Sequence, residues 1–219
     1  MLASGEQIDT GEFKRQKDHF TGWVTADGST EYPAESGRYH LYVSLACPWA
    51  HRTVIVRKLK GLEEVVGMTV VDPIRNDEGW AFRDGEGYSE DPVNGFKFLS
   101  EAYRATAPDY VARFTVPVLW DKQQARIVSN DDDDIMRMLN SEFDAFTDSD
   151  LDLYPQALRA EIDSVNDLVF PNVNDGVYRA GFATTQPAYE RAVIRLFATL
   201  DELEERLSTQ RSSGGPANH

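Results

Sequence analysis

Residues 38–52 read RYHLYVSLACPWAHR and join a strand pattern to a helix pattern across a short turn. Residues 38–44 alternate polar and apolar side chains and are rich in strand formers, which predicts a first β-strand. Pro48 suits the first turn of a helix, because its missing N–H would have no partner there. The helix is predicted to continue over residues 50–60 until Gly61 ends it.

On the C-terminal side of this helix the chain returns to a strand pattern. Residues 65–71 are apolar and β-branched, which predicts a second strand that ends at Asp72 and Pro73. Residues 74–96 are rich in glycine and acidic residues and carry scattered aromatic side chains, which indicates a long polar loop.

The elements after this loop complete one domain. The patterns predict a helix, a two-stranded hairpin and a further helix, at residues 98–110, 114–120 with 125–128, and 131–139. The resulting order, β-α-β-loop-α-β-β-α, matches a thioredoxin-like α/β domain with a mixed sheet. We place this domain at residues 36–145, after an extended N-terminal arm over residues 1–35.

Residues 150–219 lack any strand alternation and predict a partial, all-helical second domain. One helix is predicted at residues 156–170 and a longer one at residues 188–211. The longer helix carries an apolar stripe of Tyr189, Val193, Leu196, Leu200, Leu203 and Leu207. Three explanations stay open for what covers the stripe: the first domain, another chain, or further residues of a longer natural protein. We favour the last two.

The net charge limits the possible binding partners, and the cysteine content indicates the cellular compartment. The chain has 37 acidic and 22 basic residues, a formal charge of -15, so it repels nucleic acids and anionic membrane surfaces. A single cysteine cannot form an internal disulfide, which together with the absence of a secretory signal pattern predicts a reducing, cytoplasmic location. The scattered acidic residues favour a halophilic cytosol, and an ordinary acidic enzyme is the alternative.

Cys47 is the strongest candidate for chemistry. It lies where the first strand gives way to the first helix, and the unpaired N–H groups and dipole of a helix start lower the pKa of a thiol. His51 and Arg52 add two potential cations one turn further on. A buried, inert cysteine is the alternative. Without a second cysteine nearby, Cys47 would pair with an outside thiol.

Val116, at the mouth of the third predicted strand, and Arg113, just before that strand, could bind an extended ligand. Pro117 follows Val116 and indicates either an edge strand or a cis bond, as thioredoxin-like folds have there. In the latter case Val116 would offer its backbone N–H and C=O to a peptide thiol. Arg113 could grip a carboxylate, or could be a solvated loop residue.

Each of the further candidates also has a purely structural interpretation. Asp131 and Asp132 open a helix and could hold a ligand ammonium while backbone N–H groups hold its carboxylate, or they could simply cap the helix. Trp80 could cover a site or fill a small satellite core. Tyr178 could face a cleft between the two parts or pack with its hydroxyl satisfied. The histidines lack metal-ligand spacing and no phosphate loop is present, so we predict no metal and no nucleotide.

At these residues the chain resembles the glutathionyl-hydroquinone reductases, the Xi class of glutathione transferases. The resemblance extends from about Tyr39 to Leu207. It is carried by the stretches Cys47-Pro48-Trp49-Ala50-His51-Arg52, Gly79-Trp80-Ala81-Phe82, Arg113-Phe114-Thr115-Val116-Pro117-Val118-Leu119-Trp120-Asp121, Ile127-Val128-Ser129-Asn130 and residues 176–186, GVYRAGFATTQ.

The resemblance implies a thioredoxin-like domain followed by a helical domain, glutathione as co-substrate, and an aromatic thiol conjugate as substrate. It implies that Cys47 takes the glutathionyl group from a glutathionyl-hydroquinone as a mixed disulfide, which a second thiol resolves. Trp80 and Arg113 would then contact glutathione, Val116 would pair with its backbone, and Tyr178 would face the aromatic ring. A homodimer is possible.

This chain departs from the family pattern in two places. The family usually has Glu followed by Ser for the γ-glutamyl group, where this chain has Asp131 and Asp132. A carboxylate in place of a hydroxyl would repel the ligand's own carboxylate, which makes a related γ-glutamyl thiol an alternative co-substrate. The family also continues well beyond the residues present here, so we expect a C-terminally short member.

Two other functions stay open. The chain could be a truncated, non-catalytic module that binds thiols or self-associates through the apolar stripe. An ordinary conjugating transferase would instead need an activating hydroxyl near residue 47, for which Ser44 is available.

Overall fold

The computed structural model describes residues 6–209, which divide into two compact units. Residues 18–153 form the larger unit, and residues 6–17 group with residues 154–209 in the smaller one. The arm predicted over residues 1–35 is therefore shared between the units. Residues 6–17 of the arm belong to the helical unit. The buried Phe13 ring packs against the Phe182 ring, with 5.3 Å between the ring centres, and the Gly11 carbonyl accepts a hydrogen bond from Thr184 N.

The larger unit is built on a mixed sheet with strands in the order β4, β3, β5, β6. Their bounds are β3 Tyr39–Val43, β4 Gly67–Val70, β5 Val118–Asp121 and β6 Arg126–Ser129. β3 pairs in parallel with β4 and antiparallel with β5, and β5 pairs antiparallel with β6. This topology is the thioredoxin-like arrangement that the sequence predicts.

Strand β3 is buried along its whole length, although its alternating sequence suggested one polar face. The strand is paired on both edges, with β4 and β5, and its side chains on both faces of the sheet are buried. Its polar residue His40 is accommodated by a 2.8 Å hydrogen bond between Nε2 and the Thr69 hydroxyl, and burial lowers the pKa of His40 to about 4.

The three helices predicted for this unit are confirmed, with changes at their ends. They are α1 Pro48–Leu59, α2 Leu99–Thr106 and α3 Asp132–Ser141. Helices α1 and α3 pack against each other, and α2 packs against β6. The core between sheet and helices contains large, fully buried side chains, among them Tyr39, Leu41, Tyr42, Leu99, Tyr103, Trp120, Ile127, Ile135 and Phe143.

A parallel pair of very short strands precedes β3 and was not predicted. These are β1 Val24–Thr25 and β2 Tyr32–Pro33. The Thr30 hydroxyl donates a 2.6 Å hydrogen bond to the Trp23 carbonyl and so ties the intervening turn to β1. Strands of two residues leave no periodic pattern in the sequence, which is why this region looked irregular.

The long loop between β4 and α2 is ordered around one buried carboxylate. Asp91 accepts hydrogen bonds from the backbone N–H groups of Val93, Asn94 and Phe96 and from the Tyr42 hydroxyl, at 3.0–3.2 Å. Asp91 is only 6% exposed, so these four donors replace its hydration. The loop that carries Trp80 is thus anchored to the central strand.

We expect Asp91→Ala to lower the free energy of unfolding by about 3 kcal/mol, because several buried donors would lose a charged acceptor. Chemical denaturation monitored by tryptophan fluorescence measures this loss. Asp84→Ala is the matched control, since Asp84 is an exposed acid of the same loop. Equal stability of the two variants would contradict the anchoring role of Asp91.

The smaller unit is helical, as the sequence predicts. Its helices are α4 Arg159–Val169, α5 Gly176–Gly181 and α6 Gln186–Thr209, with a π-helical turn, Phe170–Asn174, between α4 and α5. The last residues of the predicted helix over 188–211 lie outside the described residues. No helix within residues 6–209 has the length and apolar content to cross a bilayer.

The apolar stripe of α6 is only partly covered. Leu196 is buried together with Ala188 and Thr199, whereas Tyr189, Leu200 and Leu207 are each at least 39% exposed. Ile194 and Phe197, which lie beside the stripe, are also exposed. Tyr189, Leu200 and Leu207 therefore remain open to contact.

Candidate active site

Cys47 is the N-cap residue of α1. Its backbone is extended, with φ −102° and ψ 114°, and its carbonyl accepts the first helical hydrogen bond from His51 N at 3.0 Å. The side chain makes no capping hydrogen bond, Pro48 occupies the first turn, and the first turn contains no acidic residue. The partly exposed thiol therefore lies at the positive end of a helix dipole whose first turn offers no competing carboxylate.

The thiol lies opposite the segment that leads into β5. Its Sγ is 3.7 Å from the Val116 carbonyl oxygen, and the Val116–Pro117 peptide bond is cis, as a thioredoxin-like fold requires. None of residues 6–209 accepts a hydrogen bond from the Val116 N–H. This backbone group is available to an extended ligand beside the sulfur.

The segment before the cis bond is held by side chains that sequence reasoning missed. The buried Tyr103 hydroxyl donates to the Thr115 carbonyl at 2.9 Å and accepts from Thr115 N at 3.1 Å. Asn130 Nδ2 donates to the Thr115 hydroxyl, and the Tyr110 hydroxyl donates to the Arg113 carbonyl. No pattern in the sequence links these residues, because they come from a helix, two loops and a strand end.

We expect Tyr103→Phe to lower the free energy of unfolding by about 2 kcal/mol, since it removes the acceptor of a partly buried N–H. Because Thr115 adjoins Val116, the same change is expected to weaken several-fold the binding of a ligand that pairs with the Val116 backbone. Calorimetric unfolding and ligand titration measure the two effects. Tyr88→Phe serves as the control, because the Tyr88 hydroxyl has no hydrogen-bond partner among residues 6–209, and effects of similar size in it would contradict the assignment.

Arg52 is directed to α3. Its guanidinium forms ion pairs with Asp132 and, at 3.2 Å, with Asp133, and lies 5.6 Å from the Trp49 ring centre. The sequence suggested that Arg52 and His51 could both stabilise the thiolate. Since two carboxylates neutralise Arg52 and His51 is exposed, the stabilisation of the thiolate is expected to come mainly from the helix start, of which Cys47 is the N-cap.

The acidic start of α3 is organised differently from the predicted ligand cradle. Asp131 is the N-cap and accepts hydrogen bonds from Asp133 N and Asp134 N, so it occupies the N–H groups that could have held a carboxylate. Asp132 is only 14% exposed. Burial raises the pKa of Asp132 to about 6, outweighing the opposing attraction of Arg52.

Two other predicted contacts with glutathione lie on loops of the larger unit. The Trp80 ring is partly buried against the main core rather than a satellite core, and the Arg75 guanidinium lies 5.9 Å from it. Arg113 is partly exposed, and its backbone is fixed by Tyr110. Both side chains have part of their surface open to solvent.

Tyr178 lies on α5 in the smaller unit. Its ring packs 6.4 Å from that of Phe13 and 6.0 Å from that of Phe182, and the Arg15 guanidinium lies 4.6 Å from its ring centre. From the sequence, Tyr178 could either face a ligand or pack with its hydroxyl satisfied. Within its own unit it packs in an aromatic cluster. Among residues 6–209, no three His, Cys, Asp or Glu side chains are grouped to hold a metal ion.

A thioredoxin-like domain with one thiol at a helix start and a cis-proline beside it, followed by helices, is typical of the glutathione transferase class. The N-terminal domain of glutathione S-transferases matches residues 46–142. The chain is 47% identical over 208 residues to the glutathionyl-hydroquinone reductase YqjG of Escherichia coli strain K12, covering 92% of this chain and 63% of that protein.

Two solved structures are similarly related. The Xi glutathione S-transferase of Phanerochaete chrysosporium superposes with a TM-score of 0.90 at 48% identity, covering 94% of this chain and 70% of that one. The glutathione-bound structure of E. coli YqjG gives a TM-score of 0.85 at 46% identity, covering 94% and 68%. This chain therefore belongs to the Xi-class glutathione transferases, the family of the glutathionyl-hydroquinone reductases. It spans less than two thirds of the length of the curated E. coli relative.

Proposed function

We propose that this protein is a cysteine-dependent reductase that removes glutathione, or a related γ-glutamyl thiol, from glutathionyl-hydroquinones. The observation that carries the proposal is the Cys47 thiol at the start of α1, 3.7 Å from the Val116 carbonyl. Relatives with this activity in their names share nearly half of its residues.

In the first half-reaction the Cys47 thiolate attacks the sulfur of the conjugate. A sulfur–sulfur bond forms, the bond between sulfur and the aromatic carbon breaks, and that carbon takes the electron pair and a proton. The products are the free hydroquinone and Cys47 in a mixed disulfide with the thiol peptide. The Cys47 sulfur and the sulfur of the thiol peptide are each oxidised to the disulfide level, losing one electron apiece, and the aromatic carbon gains the two electrons.

In the second half-reaction a thiolate from solution attacks the mixed disulfide, releasing a small-molecule disulfide and regenerating Cys47. The second thiol is required because Cys47 is the only cysteine of the chain. Since the reductant is a free thiol, we infer a reducing, cytoplasmic setting. The charge of -15 supports a salt-rich cytosol as the working environment.

Binding would use the backbone of the larger unit. The unoccupied N–H and the carbonyl of Val116 are suited to β-like pairing with the peptide thiol. Arg113 would hold a ligand carboxylate and Trp80 would cover the peptide. Asp131 and Asp132 would lie at the γ-glutamyl end, and Tyr178 would contact the hydroquinone ring. No metal or nucleotide takes part.

A single-turnover experiment tests the proposal. The purified chain is mixed with one equivalent of a glutathionyl-hydroquinone without a second thiol, and the products are followed by chromatography and intact-mass spectrometry. We expect one hydroquinone released per chain and one glutathionyl group on Cys47, removed by added glutathione. Release of hydroquinone without an adduct on Cys47, or the absence of both, would refute the mechanism.

The exposed stripe of α6 favours a second candidate function. Exposed Tyr189, Leu200 and Leu207 would suit a non-catalytic, thiol-binding module that self-associates. The two candidates differ in reactivity. In the module, iodoacetamide would modify Cys47 no faster than free cysteine at neutral pH, while sedimentation would show a homodimer or larger assembly.

A further inference from the structure

The helical unit contains a cleft that the proposed thiol chemistry does not use. Its volume is about 220 Å³, and it is lined by residues of the arm, the π-helical turn, α5 and α6. Its apolar surface includes the buried side chains of Phe13 and Ala188, which are 2% and 3% exposed. None of the residues assigned to glutathione or hydroquinone binding lines it.

The charge of this cleft is opposite to that of the whole chain. Three guanidinium groups, those of Arg179, Arg191 and Arg195, line it, and Glu12 is the one acidic residue among its lining side chains. The chain as a whole has 37 acidic against 22 basic residues. A local excess of cations around an apolar surface would attract anions that the rest of the surface repels.

The arginines are oriented by contacts that leave hydrogen-bond donors unused. Arg191 donates from Nε and Nη2 to Glu12 Oε1 at 3.1 and 2.6 Å, and Arg195 donates from Nε to the Asn172 amide oxygen at 3.1 Å. Arg179 Nε lies 3.4 Å from Asp175. The terminal amino groups of Arg179 and Arg195 have no acceptor among residues 6–209. A guanidinium has five N–H donors, so these groups can bind two ligand oxygens side by side.

We propose that this cleft binds a small organic anion in which a carboxylate or sulfonate is attached to an aromatic ring. The anionic group would contact the terminal amino groups of Arg179 and Arg195, and the ring would pack on Phe13, Ala188 and Ala192. The cleft is smaller than the ~300–1,000 Å³ common for drug-sized ligands, which limits the occupant to about one or two rings.

Titration with 2-naphthalenesulfonate, followed in amide NMR spectra of the full chain, tests the site. We expect saturable shifts of the Ala188 and Ala192 amides. The neutral analogue 2-naphthalenemethanol should bind at least about tenfold more weakly, because its single hydroxyl oxygen carries no charge and cannot accept from two guanidinium groups as a sulfonate can. Equal affinity for the two probes, or shifts confined to the exposed α6 residues Ile194 and Phe197, would overturn the proposal.

Variants locate the interaction. The double change Arg179→Gln and Arg195→Gln should raise the Kd for the sulfonate at least about tenfold, whereas Arg206→Gln, which loses an ion pair with Glu161 outside the cleft, should leave it unchanged. Ala192→Leu should also block binding, by filling the cleft without altering charge. An unchanged Kd for the sulfonate in the double variant would contradict the assignment. If the double variant does not fold, an unchanged Kd in Ala192→Leu would contradict it.

Discussion

Replacing Cys47 with serine is expected to lower the rate of hydroquinone release from a glutathionyl conjugate at least about a thousandfold. A serine hydroxyl stays protonated at neutral pH and cannot take the glutathionyl group as a disulfide. Loss of folding would not explain the result. Cys47 makes no capping hydrogen bond, and serine is a preferred N-cap residue, so the variant should be at least as stable.

Ser44→Ala is the matched control for this variant. Ser44 is buried, and its hydroxyl accepts a 3.3 Å hydrogen bond from Ala46 N, so its loss should affect the turn more than the chemistry. We expect Ser44→Ala to keep most of the reductase activity. The opposite outcome, in which Cys47→Ser keeps the reductase activity and Ser44→Ala loses it, would contradict the role of Cys47 as the nucleophile.

The second large effect concerns the acidic start of α3. Asp132→Ser is expected to tighten glutathione binding about tenfold near pH 7.5, because it removes a carboxylate from the proposed γ-glutamyl end of the site. The Asp132 side chain is only 14% exposed, so solvent screens its charge incompletely. Isothermal titration calorimetry with glutathione measures the change.

The affinity of the unmodified protein should also depend on pH. Burial raises the pKa of Asp132 to about 6, against the opposing effect of Arg52 on α1, and the neighbouring carboxylates Asp131 and Asp133 act in the same direction as burial. Asp132 is therefore charged above about pH 6 and neutral below it. Glutathione should bind more tightly as the pH falls through about 6, and Asp132→Ser should lack this increase.

Asp133→Ser separates a local effect from a general loss of negative charge. Asp133 also pairs with Arg52 but is 44% exposed, so solvent screens its charge more strongly. We expect it to change glutathione affinity less than about threefold. If Asp132→Ser and Asp133→Ser had equal effects, or if neither had one, Asp132 would not determine affinity for the thiol.

The parts of the fold that were predicted are those with local signals. The strand, turn and helix around Cys47, the hairpin of β5 and β6, and the acidic start of α3 each combine a periodic pattern with a recognisable boundary residue. The short strands β1 and β2 and the six-residue helix α5 have no such signal. They form because distant parts of the chain support them.

The residues of the candidate site also fall into two groups, those that a local sequence pattern indicates and those that only packing brings together. Cys47, Val116 and Pro117 could be singled out because each stands at the boundary of a predicted element. The ion pair between Arg52 and Asp132 joins residues 80 positions apart, and the contacts of Tyr103 and Asn130 with Thr115 are also made by packing. A single sequence gives no indication of such pairings, although they position the backbone and set the charge of the site.

The proposed mechanism requires the start of α1 to hold the Cys47 sulfur as a thiolate. The most direct test is the rate at which iodoacetamide alkylates Cys47 as a function of pH, with free cysteine measured in parallel. We predict an apparent pKa clearly below the ~8.5 of an unperturbed thiol. A pKa at or above that of free cysteine would contradict the account.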